Sequence, residues 1–156
     1  KKALENLGAI VDVLDLSTAD EKEMKAKIAD NDIIYVTGGN TFFLLQEMKR
    51  TGADILIKNA INSGKIYIGE SAGAIITAPN IEYISSMDSI KKAPNLSSYE
   101  ALRIIDFYIV PHYLNSPFKK ITSNIEKQYS TKLPLQPVSN NEVILVKGDI
   151  VTIIKN

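Results

Sequence analysis

Hydrophobic and polar positions along the chain switch repeatedly between a helical and a strand period. Residues 1–7 (KKALENL) read as the second half of an amphipathic helix, and Gly8 ends it. Residues 9–16 (AIVDVLDL) alternate into a β-branched run, which predicts a strand. Thr18 and Glu21 have the spacing of a capping box, so a helix is expected to about Ala29, with Met24 and Ile28 on one face. Residues 33–36 (IIYV) are wholly apolar, as in a strand covered on both sides, and end abruptly at Thr37-Gly38-Gly39-Asn40. Helical patterns follow over residues 42–49 and 54–62, with Gly64 as a C-terminal stop, and residues 66–68 are the next buried strand.

Residues 69–74 (GESAGA) turn directly into the apolar Ile75 and Ile76, and Pro79 closes that short helix. Residues 85–98 are polar and aperiodic, which predicts a surface loop. A strand over 106–110 delivers Pro111-His112, a helix spans 117–129, and a short strand spans 136–138. Residues 143–147 and 150–154 flank Gly148-Asp149, the two-residue turn of an antiparallel hairpin. Buried strands alternating with helices predict an α/β fold: a three-layer α/β/α sandwich with a mostly parallel sheet, finished by the C-terminal β-hairpin.

One domain over 1–156 is expected. The opening half-helix, without an initial Met, suggests that an N-terminal strand and helix precede it. A sheet without that strand would expose an edge unless another chain covered it, which admits a homodimer.

Composition narrows the chemistry. Eighteen basic residues balance eighteen acidic ones, so no charge excess favours nucleic acid or an anionic membrane. Cysteine is absent, which removes disulfides, thiolate metal sites and a cysteine nucleophile. No apolar run approaches the ~20 residues of a membrane span, and no export signal opens the chain, so a cytoplasmic location is expected. A single histidine and scattered carboxylates have no recognisable metal-ligand spacing, and neither metal nor organic cofactor is expected.

The clearest chemical signal is Gly69-Glu70-Ser71-Ala72-Gly73, a glycine-x-serine-x-glycine elbow between a predicted strand and a predicted helix. Such a turn can be purely structural, but this placement pushes the serine oxygen out over the sheet edge. Ser71 is therefore the candidate nucleophile. A serine hydroxyl needs a base, and His112, the one histidine, stands at the end of another predicted strand on the same edge. Gly38-Gly39-Asn40-Thr41, also at a strand end, would let a ligand approach main-chain N–H groups, or Asn40 or Thr41 would cap the following helix; both roles are compatible. Glu70 could bind a substrate's amino group or stand as a solvated carboxylate.

Together these segments resemble the dipeptidase E (aspartyl dipeptidase) family of serine peptidases, with the class I glutamine-amidotransferase-like fold and cyanophycinase as a more distant relative. The resemblance rests on Gly38-Gly39-Asn40-Thr41-Phe42 with Leu44-Leu45, on residues 67–74 (YIGESAGA), and on Pro111-His112-Tyr113. It implies Ser71 as nucleophile, His112 as general base, the N–H groups of Gly39 and Ala72 as oxyanion hole, and small peptides with N-terminal aspartate as substrates, with Asn40, Thr41 and Glu70 at the substrate. The family's acidic third residue corresponds here to Asn140, with Glu142 as the alternative if the loop register differs. Lys119 and Lys120 are the nearest cations for a substrate carboxylate, but the simpler reading of them is solvated lysines on a helix face. The alternatives are a serine amidase or esterase on the same scaffold, and an inactive binding domain that has lost the acid.

Overall fold

The computed structural model describes residues 1–155. The elements in chain order are α1 (Lys2–Asn6), α2 (Glu21–Asp30), β1 (Ile33–Val36), α3 (Thr41–Thr51), α4 (Ala53–Asn62), β2 (Ile66–Gly69) and α5 (Ala72–Ile75). After two single 3₁₀ turns come β3 (Tyr108–Val110), α6 (Lys119–Tyr129), β4 (Leu135–Pro137), β5 (Glu142–Lys147) and β6 (Ile150–Lys155). Strands pair as β1–β2, as parallel β3–β4, and as an antiparallel β5–β6 hairpin. The hairpin closes over Gly148-Asp149 with Lys147 opposite Ile150, and Gly148 has φ +58°, the left-handed backbone that such a turn requires.

The chain divides into two compact units. One comprises Lys1–Ile34 and Glu47–Tyr67; the other comprises Tyr35–Gln46 and the chain from Ile68 onward. In the first, α2 packs against α4 and buries Met24, Ile28 and Ile57, the four-residue spacing of Met24 and Ile28 placing both on the inner face. Lys65 closes the C-terminal end of α2, its Nζ donating to the carbonyls of Ile28 (2.6 Å), Ala29 (2.8 Å) and Asn31 (2.6 Å). In the second unit Phe42, Leu45, Ile75, Ile76, Ile81, Ile84, Leu102, Val110 and Ile125 are all but fully enclosed. Phe42 meets Tyr99 edge-on at 5.4 Å. Around the C-terminal ends of β3 and β4, Ile105, Ile109 and Val138 form a cluster joined by Ala74 and Ile144. Along the chain Ala74, Ile109 and Val138 stand within three residues of Ser71, His112 and Asn140.

Several expectations are corrected. Residues 9–16 form no strand: Ile10 is 97% exposed and Val13 57% exposed, and a strand-like alternation without a partner ladder leaves the backbone as coil. The cap of α2 is Asp20, whose carboxylate accepts from the Glu23 N–H at 2.7 Å. Thr18 instead lies in the preceding turn, and Glu21 becomes the first helical residue. Strands β1 and β2 are not covered on both sides, since Ile33, Ile66 and Ile68 remain exposed by 47, 58 and 41%. The hairpin forms its own two-stranded sheet rather than finishing a continuous one. Helix α6 starts at Lys119, two residues after the predicted start at Pro117.

Replacing a capping aspartate with alanine costs about 1 kcal/mol. Asp20→Ala should therefore lower the urea-unfolding free energy by that amount, while Thr18→Ala should stay within about 0.5 kcal/mol of the parent; the reverse order would restore the original capping box.

Candidate active site

The elbow is determined by backbone crowding. A Cβ on Gly73 would stand 2.2 Å from the Val36 carbonyl oxygen, and a Cβ on Gly69 would stand 2.5 Å from the Gly73 oxygen. Both positions are therefore closed to any side chain. The Glu70 N–H donates to the Val36 oxygen at 2.9 Å, and the Gly73 N–H returns to the Glu70 oxygen at 2.9 Å. Held at both ends, Ser71 adopts φ +52°, ψ −109°, a conformation that costs a non-glycine residue of order 1–3 kcal/mol. Ser71 is the residue before α5, yet its side chain caps nothing. Its hydroxyl is free for another partner.

That partner is His112. Its Nε2 lies 3.0 Å from Ser71 Oγ, and its Nδ1 lies 2.7 Å from Asn140 Oδ1. A carbonyl oxygen only accepts, so Nδ1 carries the proton, and Nε2 is left with a lone pair facing the serine hydroxyl. The imidazole also stacks on Phe118, with centroids 4.9 Å apart and planes 22° from parallel. His112 itself has φ +57°. The loop that carries it is stitched in place: Tyr113 N–H donates to the Val138 oxygen (2.9 Å), Asn115 N–H to the His112 oxygen (2.9 Å), and Leu114 N–H to Thr122 Oγ1 (3.2 Å). Asn115 Oδ1 in turn accepts from the Asn140 N–H at 2.9 Å, so the segment bearing the histidine also holds the residue that orients it. The Tyr113 hydroxyl bonds Glu126, and that bond holds the phenol above its ordinary range.

Asn140, rather than Glu142, faces the imidazole. Glu142 Oε2 accepts from the Ser139 N–H at 2.9 Å, and Oε1 pairs with Lys155 at 3.1 Å across the hairpin. The Ser139 N–H bond, and then Lys155, lower its carboxyl to about 2.

The Gly38-Gly39 turn stands beside the elbow, where a Cβ on Gly38 would approach the Ser71 Cβ to 3.3 Å. Gly39 has φ +136° and is exposed. Neither the Gly39 nor the Ala72 N–H takes part in the turn, cap and loop hydrogen bonds. Asn40 caps α3 by accepting from the Phe43 N–H at 2.9 Å, and its Nδ2 donates to the Ser89 oxygen at 3.1 Å. Thr41 is fully enclosed. Its N–H and Oγ1 both donate to Asp88 Oδ2, at 2.7 and 2.6 Å. Glu70 is exposed and accepts from the Tyr35 hydroxyl at 2.8 Å; partial burial and then Glu70 raise the Tyr35 phenol. Lys119 and Lys120 are exposed in the first turn of α6.

Sequence reasoning missed Phe118, Asn115 and Asp88. Phe118 and Asn115 lie within six residues of His112 and share its loop. Asp88 lies in the aperiodic 85–98 segment, where no periodic signal distinguishes it. Among the described residues no group of three or more His, Cys, Asp or Glu side chains could hold a metal ion, and no helix is long and apolar enough to cross a membrane.

The family model of peptidase family S51 matches residues 1–154. The chain belongs to peptidase family S51. It is 58% identical over 148 residues to an uncharacterized peptidase of Listeria monocytogenes, covering 95% of this chain and 72% of that relative. A peptidase E of a Shewanella species is 39% identical over 88 residues, covering 56% of this chain and 36% of the relative. Among solved structures, a 1.5 Å crystal structure of a peptidase E candidate from Listeria monocytogenes superposes with a TM-score of 0.96 at 55% identity, over 99% of this chain and 75% of that one. The S51 chain is thus a peptidase with the expected α/β fold.

Glu142 gives a pH signature separate from any chemistry. Its folded pKa is depressed, so the ionised carboxylate stabilises the fold above the ordinary carboxylate range, and that contribution is lost as pH falls from about 4.5 toward about 2. The urea midpoints of the parent and Glu142→Gln should differ by a constant amount above pH 5 and converge near pH 2.

Proposed function

We propose that this S51 peptidase hydrolyses small peptides through an acyl-enzyme on Ser71, with His112 as general base. The observation that carries the reading is the continuous line of hydrogen bonds from Ser71 Oγ to His112 Nε2 (3.0 Å) and from Nδ1 to Asn140 Oδ1 (2.7 Å). In the first step Oγ attacks the scissile carbonyl carbon while its proton passes to Nε2. The carbonyl oxygen gains the negative charge and is met by the Gly39 and Ala72 N–H groups, the candidate oxyanion donors. Collapse of the tetrahedral adduct breaks the C–N bond, and Nε2 returns the proton to the departing amine. Water, giving its proton to the same nitrogen, then attacks the Ser71 ester; the C–O bond breaks, Nε2 returns the proton to Ser71 Oγ, and the acid is released. Asn140 holds the tautomer through both halves, but a neutral amide stabilises the imidazolium less than a carboxylate would.

Substrate choice depends on the surroundings of this line. Glu70, exposed next to Ser71 in sequence and steadied by Tyr35, suits a free N-terminal ammonium, and Asn40 supports the neighbouring turn. N-terminal aspartyl dipeptides are the first substrates to test, followed by other small amides and esters, because elbow, base and oxyanion donors serve every acyl transfer. The amide at position 140 favours the second reading, a binding domain of the same fold without turnover.

Hydrolysis of aspartyl and non-aspartyl dipeptides should fall at least ~10³-fold in both Ser71→Ala and His112→Ala. A fluorophosphonate should label the parent at Ser71 and leave Ser71→Ala unlabelled. Turnover surviving Ser71→Ala would refute the nucleophile; absence of both turnover and labelling in the parent would leave the binding domain.

A further inference from the structure

The hydrogen bonds from the His112 imidazole to Ser71 and Asn140 both run along the plane of its ring, because each ring nitrogen bonds in that plane. Neither resists a rocking of the ring out of it. Asn140 is exposed as well, so water competes for its amide oxygen. The contact with Phe118 is of another kind: it presses on the ring face, with centroids 4.9 Å apart and planes 22° from parallel, and so acts across the direction of both hydrogen bonds.

Phe118 is half-buried and immediately precedes α6. Its carbonyl accepts from the Thr122 N–H at 2.9 Å and from the Thr122 hydroxyl at 3.1 Å. Thr122 is fully enclosed, and its Oγ1 also accepts from the Leu114 N–H at 3.2 Å, two residues after the histidine. One buried side chain thus ties the aromatic platform to the loop that carries the imidazole. Charge gives the platform a second use. When Nε2 takes the serine proton the ring becomes a cation, and Asn140 offers it only a neutral amide. A cation over an aromatic face, within about 6 Å of the centroid, is attracted by the quadrupole of that ring, and Phe118 meets this distance.

We propose, on the acyl-enzyme reading above, that Phe118 is a positioning residue for the general base: its face keeps the imidazole plane in line with Ser71 and attracts the imidazolium that forms as the serine attacks. Phe118 acts through His112 alone.

Phe118→Leu keeps the apolar bulk and removes the face, whereas Phe118→Tyr keeps the face. Both are compared with the parent in the full chain by the rate at which a fluorophosphonate labels Ser71, and by kcat and KM on any dipeptide or ester the parent turns over. Phe118→Leu should lower the labelling rate and kcat by at least roughly 5-fold, with KM little changed. Phe118→Tyr should stay within about 2-fold of the parent. The single histidine supplies a readout that needs no turnover: its carbon-bound ring protons, shielded by the stacked face, should move downfield in Phe118→Leu and keep their parental shifts in Phe118→Tyr. Phe118→Ile replaces the leucine variant if that one does not fold. Parental labelling and kcat in a folded Phe118→Leu overturn the proposal, as do ring protons that do not move there. So does an equal loss in Phe118→Tyr, which would assign the effect to packing. A parent that is never labelled, or turnover that persists in Ser71→Ala, refutes the acyl-enzyme reading itself and the role of Phe118 with it, whatever the ring protons show.

Discussion

The Val36 carbonyl oxygen lies 2.2 Å from where a Cβ on Gly73 would stand, and this contact shapes everything built on the elbow. Because residue 73 carries no side chain, β1 and α5 meet at backbone distance, and the intervening turn must reverse within Gly69-Glu70-Ser71-Ala72-Gly73. The reversal forces Ser71 to φ +52°, which aims its hydroxyl at the imidazole rather than at the N–H groups of α5. Energy lost in that strained residue is offset by the buried side chains immediately beyond it, Ala72, Ile75 and Ile76, all 1% exposed or less. A stable core and a strained serine are two consequences of one packing arrangement.

Around this fixed point the other parts are held by segments distant in sequence. His112 is delivered by β3, and its partner Asn140 follows β4, the parallel neighbour of β3, so one ladder sets both ends of the imidazole's hydrogen bonds. The Asn115 side chain, accepting from the Asn140 N–H, joins the two loops directly. Asn40 and Thr41, which follow the glycine turn, are tied to Ser89 and Asp88 of the long polar segment. Each element supplies one position, and the rigidity comes from the bonds between loops more than from the loops themselves.

Much of this was legible in the sequence because its cause is local. The elbow needs glycines at two fixed spacings, the hairpin needs Gly148-Asp149, and the strands that deliver Ser71 and His112 are short apolar runs ending in glycine or proline. What was not legible depends on partners far along the chain. The alternation of residues 9–16 does not reveal whether a neighbouring strand pairs with them, and here the described residues supply none. Choosing between Asn140 and Glu142 requires the register of a turn, and that register follows from Glu142 bonding Ser139 and Lys155. Asp88 has no periodic signal at all, since its bonds to Thr41 form only when the 85–98 segment folds back. The family match adds that the chain is a peptidase, while the roles of individual side chains rest on geometry.

Catalysis at Ser71 depends on Asn140 holding His112 with its proton on Nδ1 and its lone pair on Nε2, toward the serine. Because the chain contains one histidine, ¹⁵N-labelled histidine yields a single pair of ring resonances to assign. At a pH where the ring is neutral, Nδ1 should be protonated and Nε2 unprotonated, with that preference relaxing in Asn140→Ala. A parent ring protonated on Nε2 would contradict it, since no lone pair would then face the serine.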